Sequence, residues 1–211
     1  ILAEEALAAA PGARPKTVAT PCGTYEGVEL AAPAEAVVVS IVRSGDTLLE
    51  AVRKVAPAVG VGKILIQRGE RQASAGDSRA VSCGRPLHPP SPRASVRARA
   101  DESTAKKEPR LYYVKLPHNI AKRTVLLVDP MLATGGSAVM AIQELLDHGV
   151  DESRIVFVNV VACPEGIARL RRSYPQVRIV TTAVDGCLNE RMFIVPGLGD
   201  FGDRYFGTTE P

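Results

Sequence analysis

The sequence predicts an α/β protein in which a parallel sheet of about five strands is flanked by helices. Short, continuous apolar runs rich in β-branched residues recur along the chain, which is typical of strands buried on both faces. Helix-like stretches separate these runs, and this alternation is the pattern of parallel sheets. The chain has 211 residues, of which 45% are apolar and 23% are charged, so its length and composition suit a single globular domain.

Each predicted element has an apolar run or a periodicity of its own. The strands are expected at 37–42, 63–68, 124–128, 154–161 and 177–182, and the helices at 46–55, 137–148 and 164–173. Residues 1–10 resemble the last turns of a helix, and because no methionine precedes them we expect a truncated N-terminus. Ligands of such sheets bind at the carboxyl ends of the strands. Arg43, Arg68 and Asp129 lie at three of those ends, so they should share one rim.

The segment 69–100 interrupts this pattern. It consists largely of Ser, Pro, Arg, Ala and Gly with almost no apolar periodicity, so its composition predicts a disordered insert in a single domain of residues 1–211. Splice-site sequences can encode both of its boundaries, which favours a retained intron translated in frame. A lineage-specific disordered loop is the alternative. In either case the segment directly follows Arg68, where it can lower the activity.

The stretch Asp129–Ser137, which reads DPMLATGGS, is the most informative part of the chain. It follows a buried strand and precedes an amphipathic helix. Its small residues, glycines and hydroxyls can wrap a phosphate, with the helix dipole behind them. Asp129 is placed to bind hydroxyls of the group that carries the phosphate. Because GxGxxG and the Gly-Lys-Ser/Thr of a P-loop are both missing, the stretch predicts a sugar-phosphate site. An ordinary strand–turn–helix connection is the alternative.

Two arginines sharpen this prediction. A guanidinium is a natural bidentate partner of pyrophosphate oxygens. Arg43 and Arg68 beside Asp129 therefore indicate a sugar that carries pyrophosphate. Surface salt bridges are the alternative for both side chains.

The loop Asp129–Ser137 resembles the phosphoribosyl pyrophosphate (PRPP) loop of the uracil phosphoribosyltransferases. Further motifs of that family recur at Ile41–Gly45, Gly62–Arg68 and Ile194–Thr208, and the resemblance covers the chain outside the 69–100 segment. It implies a type I phosphoribosyltransferase fold with a small hood, formed by the C-terminal segment and the missing N-terminus. It also implies the reaction in which uracil and PRPP give UMP and pyrophosphate in pyrimidine salvage.

The resemblance implies roles for individual residues as well. Its PRPP site comprises Arg43, Arg68, Asp129, Pro130, Met131, Leu132, Ala133, Thr134, Gly135, Gly136, Ser137 and Asp200. Its uracil site comprises Ile194, Gly199, Asp200 and Phe201. The backbone of this glycine-rich turn can match the polar edge of the ring. Arg43, Arg68 and Asp200 are the expected catalytic residues, the last as a proton acceptor for uracil N1 near the magnesium of PRPP. Asp203 and Arg204 are expected to support the turn.

Mg²⁺ is the expected cofactor, carried by PRPP without a directly assigned protein ligand. A homodimer or homotetramer and GTP as an effector are implied by the resemblance. No nucleic-acid partner is expected, because the net charge of +3 comes partly from a segment without aromatic residues. No apolar run approaches the roughly 18 residues of a membrane span. Four cysteines without metal-ligand spacing indicate free thiols in a reducing compartment, hence a cytoplasmic location.

Two alternatives to this enzyme stay open from the sequence. One is a non-catalytic regulatory homologue that binds nucleotide or RNA. The other is the C-terminal domain of a fusion with a uridine kinase.

Overall fold

The computed structural model describes residues 1–12, 14–29, 35–69 and 108–208, without the side chains at positions 68, 69 and 108. The chain divides into two compact units, one of residues 1–67 and 109–211 and one of residues 68–108. The first unit holds the sheets and helices that form the fold. Residues 70–100 of the predicted insert lie outside the described residues, so its disorder and its origin stay predictions.

The chain forms five α-helices, two short 3-10 helices (Ile120–Lys122 and Glu152–Arg154) and eleven strands within the described ranges. The helices are α1 (Leu2–Ala9), α2 (Asp46–Val55), α3 (Gly136–Asp147), α4 (Pro164–Ser173) and α5 (Phe201–Phe206). The strands are β1 (Arg14–Thr20), β2 (Gly23–Glu29), β3 (Ala36–Val42), β4 (Gly60–Gly69), β5 (Glu108–Lys115), β6 (Thr124–Val128), β7 (Met131–Leu132), β8 (Ile155–Ala162), β9 (Arg178–Val184), β10 (Cys187–Leu188) and β11 (Ile194–Val195).

A seven-stranded sheet forms the centre of the fold. Its order is β5-β4-β3-β6-β8-β7, with β9 also paired to β8. The pairs β3–β4, β3–β6, β6–β8, β7–β8 and β8–β9 are parallel. This arrangement confirms the predicted fold class, because crossover helices must connect parallel neighbours.

Helices cover both faces of the sheet. Alternate residues of the central strands, such as Val125 and Leu127, pack in one apolar cluster with Ile142 and Leu145 of α3. The residues between them pack in a second cluster with α1 and α2, as Leu126 does. Both faces of the central strands are therefore dry, which is why these strands are continuous apolar runs in the sequence.

The sequence predicts the buried elements correctly and does not predict the exposed ones. All five predicted strands and all three predicted helices form, but the sheet has seven strands rather than about five. The additions are β5, whose described side chains are largely exposed, and the two-residue β7. Also missed are the antiparallel hairpin β1–β2, which is exposed along nearly its whole length, and the small sheet β10–β11.

The described part of the chain bears on two smaller predictions. None of its helices has the length and apolar character that crossing a membrane requires. Cys22, Cys163 and Cys187 are free thiols, as predicted. Cys83 lies outside the described residues.

Candidate functional site

The carboxyl ends of β3 and β6 lie side by side. Their register pairs Ser40 with Val128, so both strands end at the same level of the sheet. β3 leads into the loop Arg43–Gly45, and β6 leads into Asp129. Ser44 Oγ donates a hydrogen bond to Asp129 Oδ1 at 3.2 Å. The structure thus brings two of the three predicted rim positions together.

A polar network supports the loop Arg43–Gly45 that follows β3. Asp46, the first residue of α2, accepts a hydrogen bond from the buried Ser40 hydroxyl at 2.7 Å. Its other carboxylate oxygen pairs with Lys63 Nζ at 3.1 Å. Gly45 is required because a Cβ there would collide with the carbonyl oxygen of Val128. The loop therefore has little room to move relative to the ends of β3 and β6.

Arg68 is the third predicted rim residue. It lies in β4, which pairs with β3 in the sheet. Its side chain is outside the description, so its approach to the rim stays a prediction.

The loop Ala133–Ser137, hereafter the phosphate loop, leads from β7 into α3. Gly135 occupies the N-cap of α3 with φ of 73°, a left-handed conformation that glycine adopts without strain. As the N-cap residue, glycine offers no side chain to the N–H groups of the first turn. Gly135 and Gly136 are buried, while the hydroxyl residues Thr134 and Ser137 are half-buried. The loop thus brings two glycines and two half-buried hydroxyls to the start of α3, where the Gly136 N–H donates to Thr134 Oγ1 at 3.4 Å.

Helix α4 supports the phosphate loop from behind. The Cys163 thiol donates to the carbonyl oxygen of Ala133 at 3.0 Å, and Arg169 Nη1 donates to that of Thr134 at 3.3 Å. Burial raises the pKa of Cys163, which keeps the thiol protonated as a donor. A Cβ on Gly166 would lie 2.7 Å from the carbonyl oxygen of Leu132, so only glycine allows this packing. The sequence gives no sign of the roles of Gly166 and Arg169, because their contacts join elements that are distant in the chain.

The residues Ile194–Thr208, hereafter the base segment, pack beside the phosphate loop. Ile194 is buried in a cluster with Ala133, Val161 and Cys163. Ile194, which is expected to contact the base, and Ala133, which is expected to contact the phosphate, thus lie in one cluster.

The base segment turns sharply after β11. Gly197 has φ of 55°, and a Cβ there would lie 2.8 Å from the carbonyl carbon of Ile194. Its N–H donates to Asp185 Oδ2 at 2.9 Å. Gly199 has φ of 69° and lies in open space. The backbone at Gly199 is therefore exposed without a side chain to cover it, and its match to a base stays a prediction.

Asp200 and Arg204 hold the start of α5. Asp200 is the N-cap, and its Oδ1 accepts a hydrogen bond from the Asp203 N–H at 2.9 Å. Arg204 Nη1 donates to the carbonyl oxygen of Leu198 at 2.9 Å, which ties the helix back to the turn. Asp200 itself is exposed, and Phe201 beside it is half-buried.

Arg43 joins the rim to the base segment. Its Nη2 pairs with Asp203 Oδ1 at 2.6 Å, and its Nη1 donates to Thr208 Oγ1 at 3.1 Å. Its guanidinium carbon lies 5.5 Å from the centre of the Phe206 ring. The hydrogen bonds from Arg43 and then Thr208 hold the pKa of Asp203 below its ordinary value. The sequence suggested a supporting role for Asp203 but gave no sign of Arg43 as its partner.

Known proteins are similar to this chain over nearly its whole length. The sequence model of the family "Uracil phosphoribosyltransferase" matches residues 1–208. The uracil phosphoribosyltransferase of Dictyostelium discoideum is 44% identical over 195 residues, which are 92% of this chain and 74% of that protein. Uracil phosphoribosyltransferase 1 of Schizosaccharomyces pombe is 39% identical over 99% of this chain and 78% of its own length.

The solved structure of the AQ2163 protein from Aquifex aeolicus is also similar. It superposes with a TM-score of 0.69 at 30% identity, covering 100% of this chain and 82% of that one. The sequence match spans nearly the whole chain and includes the rim, the phosphate loop and the base segment. The chain therefore belongs to the uracil phosphoribosyltransferase family and has the type I phosphoribosyltransferase fold.

Proposed function

We propose that this chain transfers the phosphoribosyl group of PRPP to uracil, giving UMP and pyrophosphate in pyrimidine salvage. The observation that carries the proposal is the contact of three site segments. Ser44 bonds Asp129, Arg43 pairs with Asp203, and Ile194 packs with Ala133. Subsites for pyrophosphate, sugar phosphate and base would then adjoin one another, as a transfer between PRPP and a base requires. These contacts and the named relatives favour the enzyme over a non-catalytic regulator.

Each substrate group has a chemically suited partner in this proposal. The carboxylate of Asp129 would accept hydrogen bonds from ribose hydroxyls, and the phosphate loop would hold the 5′-phosphate. Uracil would lie against Ile194 and the turn that contains Gly199 and Phe201. The backbone of that turn would match the ring's N3–H donor and its two carbonyl acceptors.

The enzyme would act mainly by positioning and by charge stabilisation. Displacement at ribose C1′ passes through an oxocarbenium-like state while pyrophosphate departs. Arg43 and Arg68 would stabilise the charge on the departing group, and the segments of the site would hold the reactants in line. Asp200 would take the proton from uracil N1, directly or through water, because its carboxylate is exposed at the start of α5.

Magnesium fits this site as a companion of PRPP. Within the described ranges no three His, Cys, Asp or Glu side chains converge as in a protein-built metal site. Mg²⁺ commonly keeps several waters and binds through one or two carboxylates plus substrate phosphates, so the exposed carboxylate of Asp200 is a sufficient contribution. When bound, the metal would neutralise charge on the pyrophosphate.

Oligomer, effector and location are further parts of the proposal. A homodimer or homotetramer is supported by the exposed hairpin β1–β2, because an isolated two-stranded hairpin is only marginally stable in water. GTP as an effector is expected from the family resemblance alone. A cytoplasmic location is supported by the free thiols of the described cysteines.

Base selectivity tests the proposal. Uracil, cytosine and hypoxanthine are titrated separately with PRPP and Mg²⁺, and pyrophosphate release is followed. Release with uracil alone is expected, because the base segment presents backbone groups that suit its polar edge. Release with hypoxanthine but not with uracil would contradict the assignment of the base.

A further inference from the structure

We propose that Asp203 is a positioning residue that couples the pyrophosphate subsite to the base segment through Arg43. The inference rests on the proposed function, because it takes Arg43 as a ligand of pyrophosphate. Occupancy of the pyrophosphate subsite would then order the base segment, and a bound base would in turn hold Arg43 ready for pyrophosphate.

The contacts around Arg43 form a closed triangle. Arg43 donates to Asp203 Oδ1 at 2.6 Å and to Thr208 Oγ1 at 3.1 Å. Thr208 Oγ1 donates to the same Asp203 oxygen at 2.8 Å. A guanidinium has further N–H donors in its plane, so Arg43 can keep this triangle and still bind an anion on another edge.

The backbone of α5 fixes the position of the guanidinium. A Cβ on Gly202 would lie only 2.9 Å from Arg43 Nη2, so the guanidinium packs directly on the helix backbone. The Phe206 ring approaches it from another position on α5. Any shift of Arg43 toward a bound anion therefore acts on α5.

Two routes lead from Asp203 to the part of the site proposed for uracil. The Asp203 N–H bonds the carboxylate of Asp200, and its carbonyl oxygen accepts the Thr208 N–H at 2.9 Å. Arg204, the next residue, bonds the carbonyl oxygen of Leu198. Movement of Asp203 would thus reach both the proposed proton acceptor and the glycine-rich turn.

The exposure of the Arg43 and Asp203 side chains argues against a purely structural role for their ion pair. The side chains of Arg43 and Asp203 are 48% and 39% exposed, and ion pairs at such sites contribute little to folding. The pair can therefore shift as a unit when an anion binds Arg43. Coupling between two ligands is reciprocal, so the effect is measurable from either side.

Hydrogen exchange with inorganic pyrophosphate as the probe tests the inference. Amide exchange is measured in wild type, Asp203→Asn and Arg204→Gln, each with and without pyrophosphate and Mg²⁺. In wild type, pyrophosphate is expected to slow exchange across residues 198–208 by about 5-fold or more. Asp203→Asn should keep protection at residues 43–45 but lose it at 198–208. Arg204→Gln removes the bond to Leu198 and leaves the contacts of Arg43 in place, so it should raise basal exchange, lose the response at residues 198–199 and keep it at residues 202–208.

Thr208→Val is the second variant, because it removes the two sides of the triangle that involve Thr208 and leaves the ion pair of Arg43 and Asp203. It should weaken the response of residues 198–208 without abolishing it. Equal pyrophosphate protection of that segment in wild type and Asp203→Asn would overturn the inference, as would its absence in a wild type that binds pyrophosphate. A UMP assay on the same wild-type sample separates the two proposals. UMP formation with an unchanged Asp203→Asn pattern refutes only the coupling, whereas a pyrophosphate response without UMP formation refutes only the reaction.

Discussion

At the scale of single residues, Gly166 shows how an absent side chain shapes the phosphate loop. Its Cα lies so close to the loop that an added Cβ would be 2.7 Å from the carbonyl oxygen of Leu132 and still nearer to that of Ala133. Both obstacles are backbone atoms of the loop itself. The only relief is a displacement of the loop or of α4.

Gly166→Ala should therefore raise the KM for PRPP, by roughly 10-fold, since small displacements of a positioning loop are costly. The KM for uracil should change less, and overpacking should lower the stability by about 1–3 kcal/mol. Steady-state kinetics and thermal unfolding measure both effects. Gly186→Ala is the control, because its Cβ would meet only an atom at 3.7 Å. An unchanged KM for PRPP in Gly166→Ala would show that the loop does not bind the phosphate.

The ion pair of Arg43 and Asp203 predicts a pH dependence. Because Arg43 and Thr208 lower the pKa of Asp203 in the folded state, the ionised form contributes stability above the unfolded pKa. That contribution is lost as the pH falls through the lowered folded value, below the ordinary value of about 3.9. Any stability advantage of wild type over Asp203→Asn at pH 7 should vanish in this acidic window. A difference in melting temperature that grows on acidification would contradict the assignment.

At the scale of elements, the hairpin β1–β2 is the most exposed part of the described fold. Val18 pairs with Tyr25 across the two strands, and Tyr25 is 64% exposed. Val28, further along β2, is 66% exposed. Apolar side chains on a projecting hairpin are typical of an interface between subunits.

Replacing Tyr25 and Val28 together by serine should dissociate the proposed oligomer. Both lie on β2, and each loses apolar area that a second copy would bury. Light scattering coupled to size exclusion gives the mass of wild type and variant. Thr24→Ser on the same strand is the control and should leave the mass unchanged. An assembly that keeps its mass in the double variant would exclude the hairpin as an essential contact.

Burial decides which elements and site residues the sequence can predict. Strands β3, β6 and β8 are continuous apolar runs because both faces are covered, and α4 begins at the helix-starting Pro164. The exposed hairpin has no such run, and β5 has only the short and largely exposed run Leu111–Val114. Asp129 and Arg43 could be found because strand ends locate them. The pair of Arg43 and Asp203 could not, because 160 residues separate its members and only the fold brings them together.

At the scale of the whole molecule, the proposed site residues lie at the ends of the strands, and the apolar core lies on the two faces of the sheet. The apolar clusters on the two faces fix the strands, and the strand ends then fix the loop after β3, Asp129 and the phosphate loop. The base segment reaches this rim through the cluster of Ile194. The loop after β3, Asp129, the phosphate loop and the base segment are thus carried by one compact unit, which is the arrangement that catalysis by positioning needs.

The predicted insert bears on the activity of the whole chain. Deleting residues 69–100 joins Arg68 to Asp101, which restores the continuation that the family resemblance implies. We expect this deletion to raise kcat/KM, because the segment directly follows Arg68, which is one of the proposed catalytic residues. Steady-state kinetics of the deletion variant and the full chain give the comparison. A deletion variant that is folded but less active would show that the segment contributes to function.

Formation of UMP tests the central claim most directly. Purified chain is mixed with uracil, PRPP and Mg²⁺, and UMP is quantified over time for wild type and Arg43→Gln. Wild type is expected to convert uracil to UMP with one pyrophosphate released for each UMP. Arg43→Gln should lose about 100-fold or more in kcat/KM for PRPP, because it removes charge that stabilises the departing pyrophosphate. Absence of UMP from the folded wild type, or equal rates for both proteins, would contradict this account.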